Sequence, residues 1–537
     1  MMRSQLHHIL SDAATRWPDA PALTYRRESL SYSQLWDQAR IVGAGLRRLG
    51  LRRGERVAVY LDKRLETISA TFGISAASGV YVPINPVLRQ KQVAYILDNC
   101  SCRMLITTPE RLAVMSEELE LCPSLERIVV LGTPAQQIQK HVKVSSWDEL
   151  VADAPMELLA DSGVIDCDMS AILYTSGSTG KPKGVVVSHR NLIVGAESVS
   201  SYIENSTSDV ILSVLPLSFD AGFSQLTTGF HSGAHVVLVN YLLPEDVIRL
   251  CAQHKITGIT AVPPLWIQLA EKPWTEAAAR NLRYFANTGG RMPKATLDSL
   301  RAIFPAARPY LMYGLTEAFR STYLDPAEVP RRPDSIGKAI PNAEILIVRP
   351  DGSLCDPDEQ GELVHRGPLV TLGYWKDPER TAQRFKPVPA REDGFCIPEM
   401  AVWSGDLAVR DKEGFLYFVG RNDEMIKTSG YRVSPTEIEE VAYETGVVRD
   451  AVALGIEDSK LGQHIVLLVA PVEGREINSD TLIAEFRKRV PLYMVPQQIV
   501  IRSTLPRSPN GKFDRNLLKS GFASEFSEPA KTFQVPP

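Results

Sequence analysis

Short apolar runs rich in β-branched residues alternate with helical hydrophobic periods from Glu55 to about Ile345. The alternation contains ERVAVYL, ETISATFGISAAS, VYVPI, KQVAYILDNC and MLITT, and it returns as AHVVLV, PEDVIRLCAQHK, ITGITAV, LRYFANT, ATLDSLRAIF and PYLMYG. Strands and helices in turn predict βαβ units, whose strands form largely parallel sheets with both faces covered. The alternation is too long for one sheet, so we expect an α/β protein with several layered sheets.

The pattern changes after residue 335, where segments such as EGELVHRG and DKEGFLYFVGR predict a β-rich subdomain up to residue 420. Beyond it, AVALGI, HIVLLVAP, SDTLIAEFRKRV and QIVIR predict a small α+β domain. We therefore expect a large N-terminal core domain at 1–420, a mobile C-terminal domain at 421–519 and a disordered tail at 520–537.

The first helix of the C-terminal domain carries start signals at Ser434, Pro435 and Glu437. Serine suits the N-cap, proline suits the first helical position, and the glutamate completes a capping box.

Composition argues against several classes of protein. The net charge of −4 and the pI near 6.2 give no basic surface for nucleic acid. No run of about 18 apolar residues is present, so a membrane-spanning helix is not expected. The seven cysteines lack the spacing of a zinc site and the density of a disulfide scaffold, so we expect reduced thiols and a cytoplasmic location. The N-terminal MMRSQLHHILSDAATRW predicts an amphipathic helix rather than a targeting signal.

The segment LYTSGSTGKPKGVVVSH, at 173–189, places glycines, hydroxyls and two lysines between two predicted strands. Such a loop can hold an anion through its main-chain N–H groups. It is not a Walker loop, because it is too short, has a proline after the lysine and is followed by a strand. Considered alone, the loop can also be a surface hairpin without a ligand.

Further motifs follow in order along the chain. They are LPLSFDAG at 215–222, NTGG at 287–290, YGLTEA at 313–318, SGD at 404–406, GRNDEMIKTSGYRVSPTEIE at 420–439, YMVP at 493–496 and PNGK at 509–512. Jointly with the loop, they resemble the AMP-forming adenylating superfamily, which includes acyl-CoA synthetases, stand-alone amino-acid adenylation enzymes and luciferases. The resemblance covers nearly the whole chain.

The resemblance implies a two-step reaction with ATP and Mg²⁺ as cofactors. A carboxylate attacks the α-phosphorus of ATP, giving an acyl-adenylate and pyrophosphate, and a thiol then captures the acyl group. Because two anions must meet, catalysis of this kind depends on positioning and charge neutralisation.

The resemblance assigns nucleotide binding to residues of these motifs. They are Thr175, Ser176, Gly177, Ser178, Thr179, Gly180, Lys183, Gly289, Gly290, Tyr313, Gly314, Thr316, Asp406 and Arg421. Within this set it implies phosphate contacts for the loop residues, adenine stacking for Tyr313 and ribose binding for Asp406 with Arg421. It also implies that Thr316 binds the α-phosphate and that Glu317 holds Mg²⁺, a hard cation suited to oxygen ligands.

Several of these residues also have an interpretation without a ligand. Glu317 can be a solvated carboxylate at a helix start, and Asp406 can cap a turn. Gly289 and Gly290 can simply end a strand.

Lys512 follows Asn510 and Gly511, a strong hairpin signal that presents the lysine at a tight turn. A lysine there can be only a solubilising surface charge. By resemblance, it is the catalytic lysine that reaches the substrate carboxylate and the α-phosphate.

The identity of the acid depends on LPLSFDAG. Amino-acid adenylating enzymes have an aspartate after an aromatic residue at this point, and this chain has Phe219 and Asp220. A pocket carboxylate can pair with a substrate ammonium, a bond that a fatty or aryl acid cannot complete. The alternative is that Asp220 caps a helix that begins near Gly222.

Other pocket positions follow from motif spacing. They are Ala221, Ser224, Ala261, Ala286, Thr288, Met312, Arg320 and Ser321. Most are small, but Arg320 does not fit an apolar pocket; it can pair with Asp220, pair with a substrate carboxylate, or point away.

The chain is most similar in its motifs to stand-alone L-proline:carrier-protein ligases and to AMP-forming ligases associated with exosortase clusters. It contains no carrier segment, so we expect a separate phosphopantetheinylated carrier protein as acyl acceptor, with coenzyme A as the alternative. By resemblance, Asp423 is the hinge of the C-terminal domain and Gly430 lines the thiol tunnel. The alternative is a rigid turn between the domains.

Three rival functions have distinct requirements. A P-loop ATPase needs a Walker motif, which is absent. A luciferase-like oxygenase is distinguished by light emission with an adenylate. An inactive scaffold is not expected to keep Thr179, Glu317, Asp406 and Lys512 together.

Overall fold

The computed structural model describes residues 3–133, 142–159, 163–175, 182–389, 398–421, 424–428, 431–458, 461–490, 492–508 and 511–525. The chain divides into two compact units. The larger comprises Met1–Leu354, Val364–Ser404 and Gly414–Leu416, and the smaller comprises Cys355–Leu363, Gly405–Glu413 and Tyr417–Pro537. The predicted domain boundaries stay predictions.

The strands, in chain order, are β1 (Pro21–Tyr25), β2 (Glu28–Ser31), β3 (Arg56–Val59), β4 (Val80–Pro83), β5 (Met104–Thr107), β6 (Arg127–Val130), β7 (Lys143–Ser146), β8 (Met169–Thr175), β9 (Lys183–Ser188), β10 (Val210–Ser213), β11 (His235–Leu238), β12 (Gly258–Ala261), β13 (Tyr284–Asn287), β14 (Arg308–Tyr313), β15 (Thr322–Leu324), β16 (Lys338–Ala339), β17 (Glu344–Val348), β18 (Gln360–Arg366), β19 (Phe385–Pro387), β20 (Met400–Arg410), β21 (Leu416–Arg421), β22 (Ile426–Thr428), β23 (Tyr431–Val433), β24 (Val448–Asp458), β25 (Gly462–Pro471) and β26 (Gln498–Ile501).

The α-helices are α1 (His7–Arg16), α2 (Tyr32–Arg48), α3 (Leu65–Ala76), α4 (Gln90–Asn99), α5 (Pro109–Met115), α6 (Trp147–Val151), α7 (His189–Ile203), α8 (Asp220–Ser232), α9 (Pro244–His254), α10 (Pro263–Ala270), α11 (Glu276–Ala279), α12 (Lys294–Ile303), α13 (Pro378–Arg384), α14 (Pro435–Glu444), α15 (Ser479–Arg489) and α16 (Arg515–Glu525).

Two large sheets form most of the larger unit. One has the order β16-β15-β14-β13-β12-β10-β11-β1-β2, and the other has the order β7-β6-β5-β3-β4-β8-β9. Most neighbours in both sheets are parallel, as βαβ units require, while β8 and β9 pair antiparallel. The predicted mixed α/β class, with a large N-terminal and a smaller C-terminal domain, is confirmed.

Side chains from both sheets share one hydrophobic core. It includes Val57 and Val236 from the sheets and Phe72 and Phe230 from α3 and α8, all at most 2% exposed. This packing fixes the strand ends, where the loops that carry the candidate site begin.

A third sheet has the order β17-β18-β20-β19, with β21 paired to β20. The fourth, in the smaller unit, has the order β23-β22-β25-β24, with β26 paired to β25. Helices α14 and α15 contribute Ile438, Leu482 and Phe486 to its core.

The start of α14 differs in part from prediction. Ser434 is the N-cap and Pro435 is the first helical residue, as expected. However, the Ser434 hydroxyl makes no capping bond to the helix; it donates to the Val419 carbonyl at 2.5 Å instead. The predicted capping box is therefore wrong, because the Ser434 hydroxyl bonds to β21 and not to a backbone N–H of the helix.

Helix α16 continues to Glu525, and the domain boundary predicted at 519 stays a prediction. Residues 526–537 lie outside the described residues. In the described part of the chain, no helix is both long and apolar enough to cross a membrane. The six described cysteines are all free thiols.

Candidate active site

Three polar side chains from separate segments meet beside the predicted phosphate loop. Lys183, the first residue of β9, donates from Nζ to Oε1 of Glu317 at 2.8 Å and to the Tyr374 hydroxyl at 2.8 Å. The Tyr374 hydroxyl donates to the same Glu317 oxygen at 2.6 Å. Glu317 lies in a short 3₁₀ turn, Thr316–Ala318, which follows β14. The result is a closed triangle of one carboxylate, one ammonium and one phenol.

Electrostatics hold Glu317 in its ionised form. Burial acts to raise its pKa, but the Lys183 charge and the bonds from Lys183 and Tyr374 outweigh burial and lower the pKa from 4.5 to about 2. Burial and the Glu317 charge raise the pKa of Tyr374. Glu317 is only 9% exposed, so its interpretation as a solvated helix-start carboxylate is wrong.

An ionised carboxylate is the oxygen ligand that Mg²⁺ requires. The described residues contain no group of three or more His, Cys, Asp or Glu side chains that could hold a metal ion. A Mg²⁺ ion held by Glu317 would therefore take its other ligands from phosphate oxygens and water, which is its usual mode in nucleotide enzymes.

The predicted phosphate loop is connected as expected. Strands β8 and β9 flank it, and their antiparallel register places Thr175 opposite Lys183. The Thr175 hydroxyl is buried and has no hydrogen-bond partner among the described residues, which suits an additional acceptor such as a phosphate oxygen. The remaining loop candidates, Ser176, Gly177, Ser178, Thr179 and Gly180, lie outside the described residues.

The predicted adenine residues follow two neighbouring strands. Parallel pairing of β13 and β14 brings their carboxyl ends to one sheet edge, where Gly289, Gly290, Tyr313 and Gly314 lie. Ligands of open α/β sheets bind at such edges. Gly289 has φ of +76°, so its backbone conformation alone favours glycine, and its adenine role stays a prediction.

Asp220 does not cap a helix. It is the first residue of α8, whose N-cap is Phe219 and whose N-terminus has no side-chain cap. The alternative interpretation of Asp220 as an N-cap is therefore wrong. The backbone of Pro216 packs closely against the first turn of α8 at Gly222. Only glycine fits there, since a Cβ would lie 1.9 Å from the Pro216 carbonyl oxygen.

Arg320 pairs with Asp220. Its Nη1 lies 3.7 Å from Oδ2 of Asp220 and donates to the Thr288 hydroxyl at 3.3 Å. Of the three possibilities for Arg320, the structure therefore shows the pair with Asp220. The Arg320 side chain is 3% exposed, and its Nε has no hydrogen-bond partner among the described residues.

A cavity of about 20 Å³ is lined in part by Arg320. Its lining contains the predicted pocket residues Ala221, Ser224, Met312 and Arg320. The other lining residues are Val199, Ile203, Asn205, Ile211, Gln225, Thr228, Thr260 and Tyr284. The cavity is thus small, with a lining of apolar, hydroxyl and amide side chains.

The remaining predicted pocket residues do not line this cavity. They are Phe219, Asp220, Ala261, Ala286, Thr288 and Ser321. Ala261 and Ala286 are fully buried in β12 and β13. The Ser321 hydroxyl lies 2.9 Å from Nδ1 of His365, whose pKa burial lowers to about 3, so this imidazole is neutral at ordinary pH.

Two nucleotide candidates meet in the smaller unit. Asp406 in β20 and Arg421 in β21 form an ion pair with Nε and Oδ1 3.6 Å apart. Asp406 is 9% exposed. The two residues predicted to bind the ribose thus lie together, and ribose binding itself stays a prediction.

Lys512 is exposed, and residues 509 and 510 of the predicted turn lie outside the described residues. The Ser508 N–H donates to the Lys512 carbonyl at 2.7 Å, and Gly511 has φ of +77°. Arg507 is bound to Asp450, whose Oδ1 is 2.6 Å from its Nη2. The catalytic role of Lys512 stays a prediction. The hinge candidates Asp423 and Gly430 lie outside the described residues.

A model of the AMP-binding enzyme family matches residues 10–375, which is more than half of the chain. The chain belongs to the AMP-binding enzyme family. A second model, of the AMP-binding enzyme C-terminal domain, matches residues 437–512. This AMP-binding enzyme is an AMP-forming ligase that activates an acid as its adenylate, with ATP and Mg²⁺ as cofactors.

Its relatives include a fatty-acid–CoA ligase and a synthase named for tyrocidine. The long-chain-fatty-acid–CoA ligase of Bacillus subtilis (strain 168) is 26% identical across 96% of this chain and 94% of its own length. Tyrocidine synthase 2 of Brevibacillus parabrevis is 29% identical across 96% of this chain, which corresponds to 14% of that longer protein. These relatives are consistent with coenzyme A or a carrier as acceptor.

Solved structures of adenylating ligases have the same fold. The o-succinylbenzoate coenzyme A synthetase from Bacillus subtilis, in complex with ATP and magnesium ion, is 25% identical, with a TM-score of 0.80 over 95% of this chain and 99% of that chain. The anthranilate CoA ligase AuaEII, in complex with anthranoyl-AMP, is 23% identical, with a TM-score of 0.87 over 98% of this chain and 99% of that chain.

Sequence reasoning missed two polar residues of this AMP-binding enzyme. Tyr374 is 191 residues from Lys183 along the chain, and His365 is 44 residues from Ser321. Neither lies in a motif that indicates chemistry, and only the fold brings each to its partner.

Proposed function

We propose that this AMP-binding enzyme activates a small amino acid and transfers it to the phosphopantetheine thiol of a separate carrier protein. L-Proline is the candidate that the sequence favours. The observation that carries the proposal is the position of Asp220, which does not cap α8 and whose carboxylate lies 3.7 Å from Arg320, a residue that lines the small cavity. A carboxylate in that position can accept a hydrogen bond from a substrate ammonium.

The first step joins the acid to AMP. A carboxylate oxygen of the acid forms a bond to the α-phosphorus of ATP, and the bond from that phosphorus to the bridging oxygen of pyrophosphate breaks. In our proposal, Thr175 and Lys183 bind the departing phosphates, Glu317 holds Mg²⁺, and Lys512 neutralises charge on the carboxylate and the α-phosphate. Asp406 and Arg421 bind the ribose.

The second step moves the acyl group. The carrier thiolate attacks the carbonyl carbon of the adenylate, and the bond from that carbon to the AMP oxygen breaks. We propose that the C-terminal domain begins at residue 421. We also propose that Asp423 is the hinge that lets this domain move between the first and the second step. The six free cysteines support a reducing cytoplasmic location.

The small cavity does not by itself select an acid. Its volume of about 20 Å³ holds about one water molecule, which is less than an amino acid or a fatty acid occupies. The second candidate function is an acyl-CoA ligase for a fatty or aryl acid, which the similarity to the Bacillus subtilis fatty-acid ligase favours.

Acid-dependent ATP–pyrophosphate exchange tests the proposal. Pooled amino acids, including imino acids and D-isomers, are compared with pooled fatty and aromatic acids. We expect exchange with the amino-acid pool. Exchange only with the other pool would reject the amino-acid proposal and make coenzyme A the favoured acceptor.

A further inference from the structure

The Asp220–Arg320 pair gives the acid pocket a charge balance that restricts its substrate. The guanidinium is 3% exposed, so its charge is removed from bulk water and needs a counter-charge. Asp220 supplies one negative charge at 3.7 Å, and the imidazole of His365, a further titratable group of this region, is neutral. The pair is therefore neutral as a unit.

An ordinary amino acid disturbs this balance. Its α-carboxylate is engaged in the reaction with ATP, so its ammonium adds one positive charge beside Asp220. With Arg320, that makes two positive charges against one negative charge. A buried charge without a partner is costly, so a substrate that brings a second negative group restores the balance.

Arg320 also has an unused donor for such a group. Its Nε is buried without a hydrogen-bond partner in the described part of the chain, while its Nη1 donates to Thr288. Arg320 lines the small cavity together with Ser224 and Thr228, whose hydroxyl oxygens are 3.4 Å apart. The unpartnered Nε–H of a buried guanidinium is a donor that a second carboxylate would satisfy.

We propose that the substrate is an amino acid with a second carboxylate, an amino-dicarboxylic acid, whose distal carboxylate binds Arg320. The inference rests on the proposed amino-acid function and replaces its candidate L-proline, which brings no second negative group. In this arrangement Asp220 binds the ammonium, Arg320 binds the distal carboxylate, and the α-carboxylate is the group that is activated.

Substrate comparison tests this without altering the protein. ATP–pyrophosphate exchange is measured with L-aspartate and L-glutamate, with L-asparagine and L-glutamine as uncharged isosteres, with L-proline, and with succinate and glutarate as analogues lacking the ammonium. We expect kcat/KM for one acidic amino acid to exceed that of its amide by about 10- to 100-fold, the range for a bond to a charged group.

The outcomes separate the two proposals. Exchange with neutral amino acids at equal or higher kcat/KM would overturn the dicarboxylic inference and leave the amino-acid function intact. Exchange only with acids that lack an ammonium, or with none of the acids, would overturn both.

A pair of variants adds a second readout. Arg320→Met should remove the preference for the acidic amino acid over its amide, and Arg320→Gln, which keeps a polar side chain but no charge, should do the same with Asp220 retained. The second variant keeps the test valid if the first does not fold. An unchanged acid-to-amide ratio in a folded variant would reject Arg320 as the carboxylate partner.

Discussion

The Nζ of Lys183 lies 2.8 Å from Oε1 of Glu317, so a predicted phosphate ligand and a predicted Mg²⁺ ligand are paired with each other. Lys183 is contributed by β9, while Glu317 follows β14 in the other large sheet. Both must change partners when Mg²⁺ and ATP bind in the proposed reaction. The pair therefore compensates the buried Glu317 carboxylate with a partly buried ammonium while the nucleotide is absent.

This pair should contribute stability that depends on pH. The folded pKa of Glu317, about 2, is below its ordinary value of 4.5, so the contribution is complete above pH 4.5 and is lost as pH falls towards 2. We expect Glu317→Gln to reduce the free energy of unfolding by about 3 kcal/mol at pH 7. Denaturant unfolding of both proteins at pH 7 and pH 4 should show the difference shrinking at the lower pH. A difference independent of pH would contradict this assignment.

Tyr374→Phe should weaken the use of ATP and Mg²⁺ without unfolding the protein. The variant loses the 2.6 Å bond to Glu317, so the carboxylate is less firmly positioned. We expect kcat/KM for Mg·ATP to fall about tenfold and the Mg²⁺ concentration for half-maximal exchange to rise.

The matched control for this variant is Tyr32→Phe, which loses a buried 2.6 Å bond to the Ala234 carbonyl in another part of the unit. The control should lose stability but keep its kinetic constants. Equal kinetic effects of the two variants would remove Tyr374 from the site.

Lys512→Ala should keep the fold and lose adenylation. Lys512 is exposed, so its removal disturbs no packing, while the loss of one positioned positive charge should lower exchange by about two to three orders of magnitude. Lys519→Ala, at another exposed lysine of the same unit, is the control and should retain exchange. Normal adenylate formation by the Lys512 variant would overturn its catalytic assignment.

Asp423→Pro should separate the two half-reactions. Proline restricts backbone rotation at the proposed hinge, so thioester formation should decline more than adenylate formation. The first is measured by transfer to a carrier protein or coenzyme A, and the second by pyrophosphate exchange. Equal loss of both would count against the hinge.

The layered fold was predictable because hydrophobic periodicity depends only on residues that are near each other in the sequence. The alternation that includes ITGITAV and PEDVIRLCAQHK corresponds to β12 and α9, where Val247, Leu250 and Cys251 form the buried face. The same local pattern predicted the two strands that flank the phosphate loop, β8 and β9.

Side-chain partnerships were less predictable. The Tyr374–Glu317 bond joins residues 57 positions apart, and no local pattern encodes such a contact. The local sequence predicts that the hydroxyl of Ser434 caps α14. In the fold, however, this hydroxyl donates to the carbonyl of Val419 in β21. Asp220 was ambiguous for the same reason, because the sequence does not show which residue begins α8.

The most direct test of the central claim is the mass of the acyl-adenylate that the protein makes from a mixture. The protein is incubated with ATP, Mg²⁺ and equal concentrations of amino, fatty and aryl acids, and the adenylate is identified by mass spectrometry. The account predicts an aminoacyl-adenylate as the main product. A fatty-acyl- or aryl-adenylate as the main product would contradict it.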